Sequence, residues 1–222
     1  MPPRNRIKNG YWIKKLVRRG GLLTDQEIAD ILLTAEGFKP AAMIEVSYPP
    51  RAAFSKKEFY KKISDLRKIL QKLGLSCRLQ INYPKDAREA TRYSYVAKDR
   101  KKFKKIAAAE AERNIRKRRL QLGALLGYPT TAIKAFANSK AIDRLPAIAA
   151  KKKESKFINF RLSRHWRKEL QYVKRRAELI KQIAPELYKR ITSRWEKEKA
   201  PRFPTGPERW CALLTVLRSW RC

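Results

Sequence analysis

The order of strand and helix patterns between residues 41 and 126 constrains the fold of this chain most strongly. Apolar and polar residues alternate over residues 42–48, 77–83 and 93–97, which is typical of strands with one buried face. A capping-box sequence begins a helix at Ser55, and a long basic helix is expected from residue 99 to residue 126. This βαββα order predicts an α+β protein with a ferredoxin-like antiparallel sheet core and both long helices on one face.

The segments beside this core predict further units. Residues 1–40 are expected to form a basic arm and a helix, which a second capping box, Thr24 with Glu27, begins. The core extends over residues 41–162 with a helical insertion, and the β-prone residues 157–162 are a candidate fourth strand. Residues 163–200 are expected to form a helical extension, and residues 201–222 a proline-rich linker and a terminal amphipathic helix.

Positive charge is concentrated in the predicted basic helix. Residues 98–119 contain 11 basic residues against three acidic ones, a net charge of +8, and the whole chain carries +35. Charge of this density repels itself unless a polyanion binds it, whereas solubility requires a net charge of only about 2–8 in a small domain. Nucleic acid is therefore the expected partner. An anionic membrane surface is the weaker candidate, and no membrane association is expected, because no helix places its basic residues opposite a broad apolar face.

The candidate nucleic-acid-binding residues lie on the third strand, on the basic helix after it and on a second basic helix that begins after Ser163. A charge run is usually a solvated helix face balanced by acidic residues, but Glu169 and Glu178 are too few to balance the second helix. The candidates are Arg92, Tyr93, Tyr95, Lys98, Lys101, Lys102, Lys105, Arg116, Arg119, Arg164, Arg167, Lys168 and Arg175.

The third strand resembles the central strand motif of the RNA-recognition motif family. That motif has two aromatic residues at positions i and i+2 followed by valine, and Tyr93, Tyr95 and Val96 fall in this register. Arg92 stands where the family has glycine, and the last aromatic residue of the motif is absent. The resemblance covers residues 41–126 and implies that Tyr93 and Tyr95 stack on unpaired bases. The alternative is that both tyrosines face the helices as part of the core.

A second resemblance lies in the sequence Leu122-Gly123-Ala124-Leu125-Leu126-Gly127-Tyr128-Pro129. It is similar to an uncharacterised prokaryotic domain family that has a Leu-Gly-x-Leu-Leu-Gly-Tyr-Pro turn, and it implies no activity. The residues themselves predict the end of a helix, because Gly127 tolerates the left-handed conformation of a C-terminal cap and Pro129 prevents the helix from continuing.

The sequence predicts no catalytic residue, no metal site and no cofactor. His165 is the only histidine, so this chain does not supply a paired-histidine metal site. A metal-independent endoribonuclease of ferredoxin-like fold is an alternative function, with His165 or a tyrosine as general base. Glu45, Asp86 and Asp99 lie near the predicted strand ends, but a pair of carboxylates on one strand, expected for two-metal catalysis, is absent.

Cysteine usage and hydropathy bear on location. Cys77, Cys211 and Cys222 form no Cys-x-x-Cys pair, and an odd number of thiols favours a reducing compartment. The first residues do not resemble a signal peptide, and no apolar run approaches the roughly 20 residues of a membrane span. A cytoplasmic, intracellular location is expected.

The apolar C-terminal segment offers a third functional interpretation. Trp210, Leu214 and Leu217 recur at helical spacing and form a candidate contact surface for a protein partner, or pack back on the domain. The expected function remains that of a non-catalytic nucleic-acid-binding protein within a ribonucleoprotein complex. RNA is favoured over DNA because a tyrosine-bearing sheet suits unstacked bases and no helix-turn-helix pattern fits the sequence.

Overall fold

The computed structural model describes residues 10–18, 22–47, 55–82, 93–142 and 144–197. The helices in these ranges are α1 (Gly10–Val17), α2 (Asp25–Ala35), α3 (Lys56–Lys72), α4 (Lys101–Ala111), α5 (Ile115–Leu125), α6 (Thr130–Ala137), α7 (Ala147–Ala150), α8 (Trp166–Ile183) and α9 (Pro185–Lys197). The strands are β1 (Ala41–Ile44), β2 (Val46–Ser47), β3 (Ser76–Arg78), β4 (Ile81–Asn82) and β5 (Ser94–Ala97), and a 3-10 helix covers Lys153–Phe157. Arg92, Asp86 and the C-terminal segment with Trp210, Leu214 and Leu217 lie outside the described residues.

The sheet forms from the three segments that the alternation predicted. β5 lies in the middle, antiparallel to β1 on one side and to β3 on the other, so that Val96 is opposite both Ala42 and Cys77. β2 and β4 continue the two outer strands past the end of β5 and pair with each other directly, in parallel. The protein is therefore α+β, as predicted, with a small antiparallel sheet in a mainly helical chain.

Two side chains explain why each outer strand is interrupted. The Glu27 carboxylate accepts a hydrogen bond from the backbone nitrogen of Glu45 at 2.6 Å, between β1 and β2. The Ser94 hydroxyl accepts from the backbone nitrogen of Gln80 at 2.8 Å and donates to its carbonyl at 2.9 Å, between β3 and β4. These backbone groups are thus satisfied by side chains instead of by a neighbouring strand.

Helix α2 lies at the centre of the larger core. Its capping box forms as predicted, with Thr24 accepting from the backbone of Glu27 and Glu27 accepting from the backbone of Thr24, and the Ser55–Glu58 capping box of α3 forms in the same way. All residues from Ile28 to Ala35 are buried, and a helix that is covered on all sides needs partners around it. Those partners include α1, β1, β5, α8 and α9.

The predicted fourth strand at residues 157–162 is wrong. The segment begins at the end of the 3-10 helix and continues without strand pairing. Phe157 is fully buried with its ring stacked on Tyr188, and Phe160 packs against Tyr128 and Tyr172. The apolar residues that resembled a strand therefore fill the space between helices and have no place at the sheet edge.

The single long helix predicted from residue 99 to residue 126 is also wrong, because the chain divides there into α4 and α5. The Asn114 side chain accepts a hydrogen bond from the backbone nitrogen of Lys117 at 3.0 Å and begins α5 as its N-cap. As a result the apolar residues of this segment do not form one continuous buried stripe. Ile115 is 44% exposed, whereas Ile106 and Ala109 hold α4 in the core.

The predicted turn at Gly127 is confirmed. Gly127 has a φ of +72°, in the left-handed region that favours glycine, and a Cβ placed there would lie 2.5 Å from Pro40. The Tyr172 hydroxyl donates to the Gly127 carbonyl at 2.7 Å. The turn thus sends the chain from α5 to α6 and is held against Pro40 and Tyr172.

Candidate functional site

Eight of the predicted basic residues are exposed. Lys98, Lys101, Lys105 and Arg116 lie on α4, on α5 or just before them, and Arg164, Arg167, Lys168 and Arg175 lie at the start of α8 and along it. We call these eight the exposed basic residues. None of them forms an ion pair with a carboxylate in the part of the chain that the structure describes; the surface pairs there include Lys117–Glu112 and Lys174–Glu178 instead. Their charge is therefore available to a polyanion.

Arg119, one of the candidate nucleic-acid-binding residues, does not belong to this exposed surface. It is partly buried, its Nη1 donates to the Phe136 carbonyl at 3.3 Å, and its guanidinium lies 4.7 Å from the centre of the Phe136 ring. Lys102 is partly buried as well. The division of the predicted basic helix into α4 and α5 turns Arg119 towards the interior.

Tyr95 of β5 is buried, and Tyr93, just before this strand, is partly buried. Tyr95 is 3% exposed and its hydroxyl donates to the Glu110 carboxylate at 2.8 Å. Burial raises the pKa of Tyr95, and the Glu110 carboxylate raises it further. Tyr93 is partly buried, and burial together with the Glu45 and Glu27 carboxylates raises its pKa to about 12. Tyr95 is therefore a core residue instead of an open stacking platform.

Replacing Tyr95 with Phe tests this placement. The variant keeps the ring but leaves the Glu110 carboxylate without its donor, so we expect the free energy of unfolding to fall by about 1–2 kcal/mol. The affinity for single-stranded RNA, corrected for the folded fraction, should not change. Urea unfolding and fluorescence anisotropy measure the two quantities. Unchanged stability combined with weaker RNA binding would place the hydroxyl on the binding surface.

A cavity of about 380 Å³ opens between the start of α2, strands β1 and β5, and helices α5 and α6. Small-ligand sites have volumes of about 300–1,000 Å³, so the cavity is large enough for a small molecule. Charged and aromatic side chains line it together with apolar ones. They include Glu27, Met43, Glu45, Tyr93, Arg118, Arg119, Leu122, Tyr128, Phe136, Phe160 and Arg161.

Three arginines, Arg118, Arg119 and Arg161, line the cavity. Burial lowers the pKa of Arg119, and the positive charges of Arg161 and Arg118 lower it further. Arg118 is only 7% exposed, and its Nη1 donates to the Glu110 carbonyl at a long 3.4 Å. The Nε atoms of Arg118 and Arg119 are buried and have no hydrogen-bond partner among the described residues. Three positive charges around one cavity favour an anion inside it.

A separate group of side chains brings negative charge to the same cavity. The Glu27 carboxylate is committed to the α2 capping box and to the backbone of Glu45. The Glu45 carboxylate accepts from the Ser47 hydroxyl at 3.0 Å and is near enough to Tyr93 to raise its pKa. The cavity therefore offers hydrogen-bond acceptors as well as cationic donors.

A buried charge cluster lies behind the cavity. Asp30 accepts hydrogen bonds from Lys39 at 2.6 Å, from Asn159 at 2.7 Å and from Arg176 at 2.6 Å. Asn159 also accepts a hydrogen bond from Arg176. The Lys39 ammonium lies 4.9 Å from the centre of the Tyr128 ring. Asp30, Asn159 and Tyr128 all reach the cavity wall, so the cluster fixes one side of the cavity.

The residues of the cavity were only partly predictable. Tyr93 and Arg119 were candidates for nucleic-acid contact, whereas Arg118, Arg161 and Asp30 were not. Asp30 carried a usable signal, since a single carboxylate within the apolar run of α2 is buried only when it is paired. For Arg118 and Arg161 the sequence carried no signal that distinguishes them from the other basic residues.

The remaining catalytic alternatives do not converge on the cavity. His165 is exposed at the start of α8, and Asp99 is exposed with its carboxylate accepting from the backbone of Lys101. Across the described ranges, no group of three or more His, Cys, Asp or Glu side chains is placed to hold a metal ion.

The helices in the described part of the chain include none with the length and apolar character of a membrane span. A comparison of the chain with protein-family models, with curated proteins and with solved structures finds no match.

Proposed function

We propose that this protein binds nucleic acid, RNA in preference to DNA, and does so without catalysis, as part of a ribonucleoprotein complex in the cytoplasm. The observation that carries the proposal is the set of eight exposed basic residues with no carboxylate paired to them in the described part of the chain. Together with the net charge of +35, these residues supply the electrostatic attraction on which nucleic-acid affinity depends.

Two groups of exposed cations support the proposal more strongly than one would. The first is on α4 and α5, and the second follows Ser163 into α8. Arg119 of α5 and Arg161, just before α8, both line the cavity, so the segments that carry the two groups approach each other there. A strand that contacts both groups would pass this opening.

The preference for RNA rests on the cavity. An open tyrosine face no longer supports it, because Tyr95 is buried. Sequence-specific RNA recognition usually involves single-stranded segments whose unstacked bases enter pockets or stack on aromatic and arginine side chains. The cavity combines both kinds of side chain with enough volume for one base. We also propose a ferredoxin-like arrangement for the antiparallel sheet, in which β5 lies between β1 and β3.

The non-catalytic part of the proposal is tested with His165. We expect the wild-type protein to leave purified RNA intact in EDTA, and His165→Ala to bind RNA as tightly as the wild type, because His165 is exposed and is not part of the cavity wall. Gel analysis of end-labelled RNA over several hours measures cleavage. RNA cleavage by the wild type in EDTA that is lost in His165→Ala would show a metal-independent ribonuclease and contradict the proposal.

A further inference from the structure

The cavity wall includes a buried cation whose hydrogen-bond donors are only partly satisfied, since the Arg118 Nη1 donates to the Glu110 carbonyl at a long 3.4 Å. Arg118 is 7% exposed, lines the cavity, and has a buried Nε with no hydrogen-bond partner in the described residues. It has no ion-pair partner there either, since the nearby Glu112 carboxylate pairs with Lys117 at 2.9 Å. A buried guanidinium normally forms charge-assisted hydrogen bonds, because leaving its donors unsatisfied is costly. An anion in the cavity would supply the missing acceptor.

The arrangement of the arginines suits a phosphate. Arg118, Arg119 and Arg161 all line the cavity, and a planar guanidinium presents paired donors that match phosphate oxygens. The position of the Arg119 guanidinium is fixed by its stacking on the Phe136 ring and by its hydrogen bond to the Phe136 carbonyl. A donor that is already ordered loses little conformational entropy when a ligand binds.

The rest of the wall suits a planar ring with polar edges. Phe136, Tyr128 and Phe160 provide aromatic surface, and Tyr93 adds a partly buried ring. The Glu45 carboxylate offers an acceptor for an amino group of a base or for a ribose hydroxyl. Phosphate, planar ring and hydroxyls occur together in a nucleotide.

From this geometry we infer that the cavity binds one nucleotide, with its phosphate at Arg118, Arg119 and Arg161 and its base against the aromatic wall. The nucleotide is either a free nucleoside monophosphate or one unstacked nucleotide of a strand held by the exposed basic residues. In the second form the inference rests on the proposed function.

The test is calorimetric titration of the wild-type protein with AMP, CMP, GMP and UMP, and with the matching nucleosides and inorganic phosphate. We expect at least one monophosphate to bind about tenfold or more tightly than its nucleoside or phosphate alone. Arg119→Gln should weaken that binding by about tenfold, whereas Lys134→Gln, which removes an exposed charge outside the cavity wall on α6, should not change it. Arg119→Lys keeps the charge but not the paired donors and should give an intermediate loss.

A cavity-filling variant provides a second test that leaves all charges in place. Leu122→Trp replaces a leucine side chain on the cavity wall with a bulkier indole ring and should abolish monophosphate binding. Circular dichroism checks that the variant is folded. Competition between a monophosphate and a short single-stranded RNA identifies the strand as a source of the nucleotide, and absence of competition identifies free nucleotides.

The inference and the proposed function fail in different ways. Absence of monophosphate binding at millimolar concentration to the folded wild-type protein overturns the inference, as does binding that neither Arg119→Gln nor Leu122→Trp weakens. If RNA strands still bind in a salt-dependent manner, the proposed function stands. If monophosphates bind but no strand does, the cavity assignment stands and the proposed function fails.

Discussion

Replacing Asp30 with Asn is expected to lower the free energy of unfolding by about 3–5 kcal/mol, which is the usual cost of removing one partner from a buried ion pair. Asp30 is 4% exposed, and the cations that it pairs with, Lys39 and Arg176, are 2% and 0% exposed. The amide of the variant carries no charge and has an NH2 donor group in place of one acceptor oxygen. Two buried cations would then remain without a neutralising carboxylate.

The pH dependence of this loss separates the effect of charge from the effect of shape. Burial lowers the pKa of Lys39 from 10.5 to about 8, the Asp30 carboxylate opposes this shift, and Arg176 adds to it. Between pH 8 and 10.5 the unfolded chain therefore binds more protons at Lys39 than the folded chain does, so this group makes wild-type stability rise with pH across that window. Since Lys39 is mostly neutral at pH 9 in the wild type, the deficit of Asp30→Asn should be smaller at pH 9 than at pH 7.

Urea unfolding of both proteins at pH 7 and pH 9 measures these differences. Glu178→Gln serves as the matched control, because Glu178 pairs with Lys174 at 3.8 Å and both side chains are more than half exposed. Exposed pairs contribute at most about 1 kcal/mol, so the control should be nearly as stable as the wild type. A loss in Asp30→Asn no larger than that of the control would show that the cluster does not hold the core together.

Removing four exposed charges, on α4, on α5 and at Lys98 just before α4, should reduce RNA affinity strongly. Each Lys or Arg that neutralises a phosphate of a single strand contributes about 0.7 to the slope of log affinity against log salt. The variant with Lys98, Lys101, Lys105 and Arg116 all replaced by Gln should therefore have a slope smaller by about three units, and it should bind all sequences more weakly. The four side chains are exposed, so the variant is expected to fold normally.

The matched control removes the same charge from another helix. Lys56, Lys57, Lys61 and Lys68 are exposed on α3, and replacing them with Gln lowers the net charge by the same four units. If the α4–α5 surface contacts phosphate, the control should keep most of the wild-type slope. Equal losses in both variants would mean that net charge alone attracts RNA. An unchanged slope in the first variant would move the contact to the exposed residues of α8.

Local signals in the sequence were sufficient for the elements that local chemistry determines. The capping boxes at Thr24 and Ser55 and the left-handed turn at Gly127 each depend on residues within a few positions of one another, and all three are confirmed. The break at Asn114 was also encoded locally, since asparagine is a preferred N-cap residue, but the continuous run of positive charge obscured it.

Long-range contacts determined the rest. The apolar residues at 157–162 have the composition of a strand, and only the helices that surround Phe157 and Phe160 show why they do not pair with the sheet. Arg118 resembles Arg116 in the sequence, yet one is buried at the cavity and the other is exposed. Burial of this kind depends on how α5 packs against its neighbours, which no single sequence pattern gives.

The most direct test of the proposed function is the affinity of the wild-type protein for nucleic acid as a function of salt. Single-stranded RNA, structured RNA and duplex DNA of equal length would each be titrated by fluorescence anisotropy between about 50 and 200 mM salt, the range over which such affinities change most clearly. We expect log affinity to fall linearly with log salt for all three, steeply enough to indicate several phosphate contacts, with single-stranded RNA bound most tightly. A slope near zero for every ligand, or no binding at the lowest salt, would contradict the account.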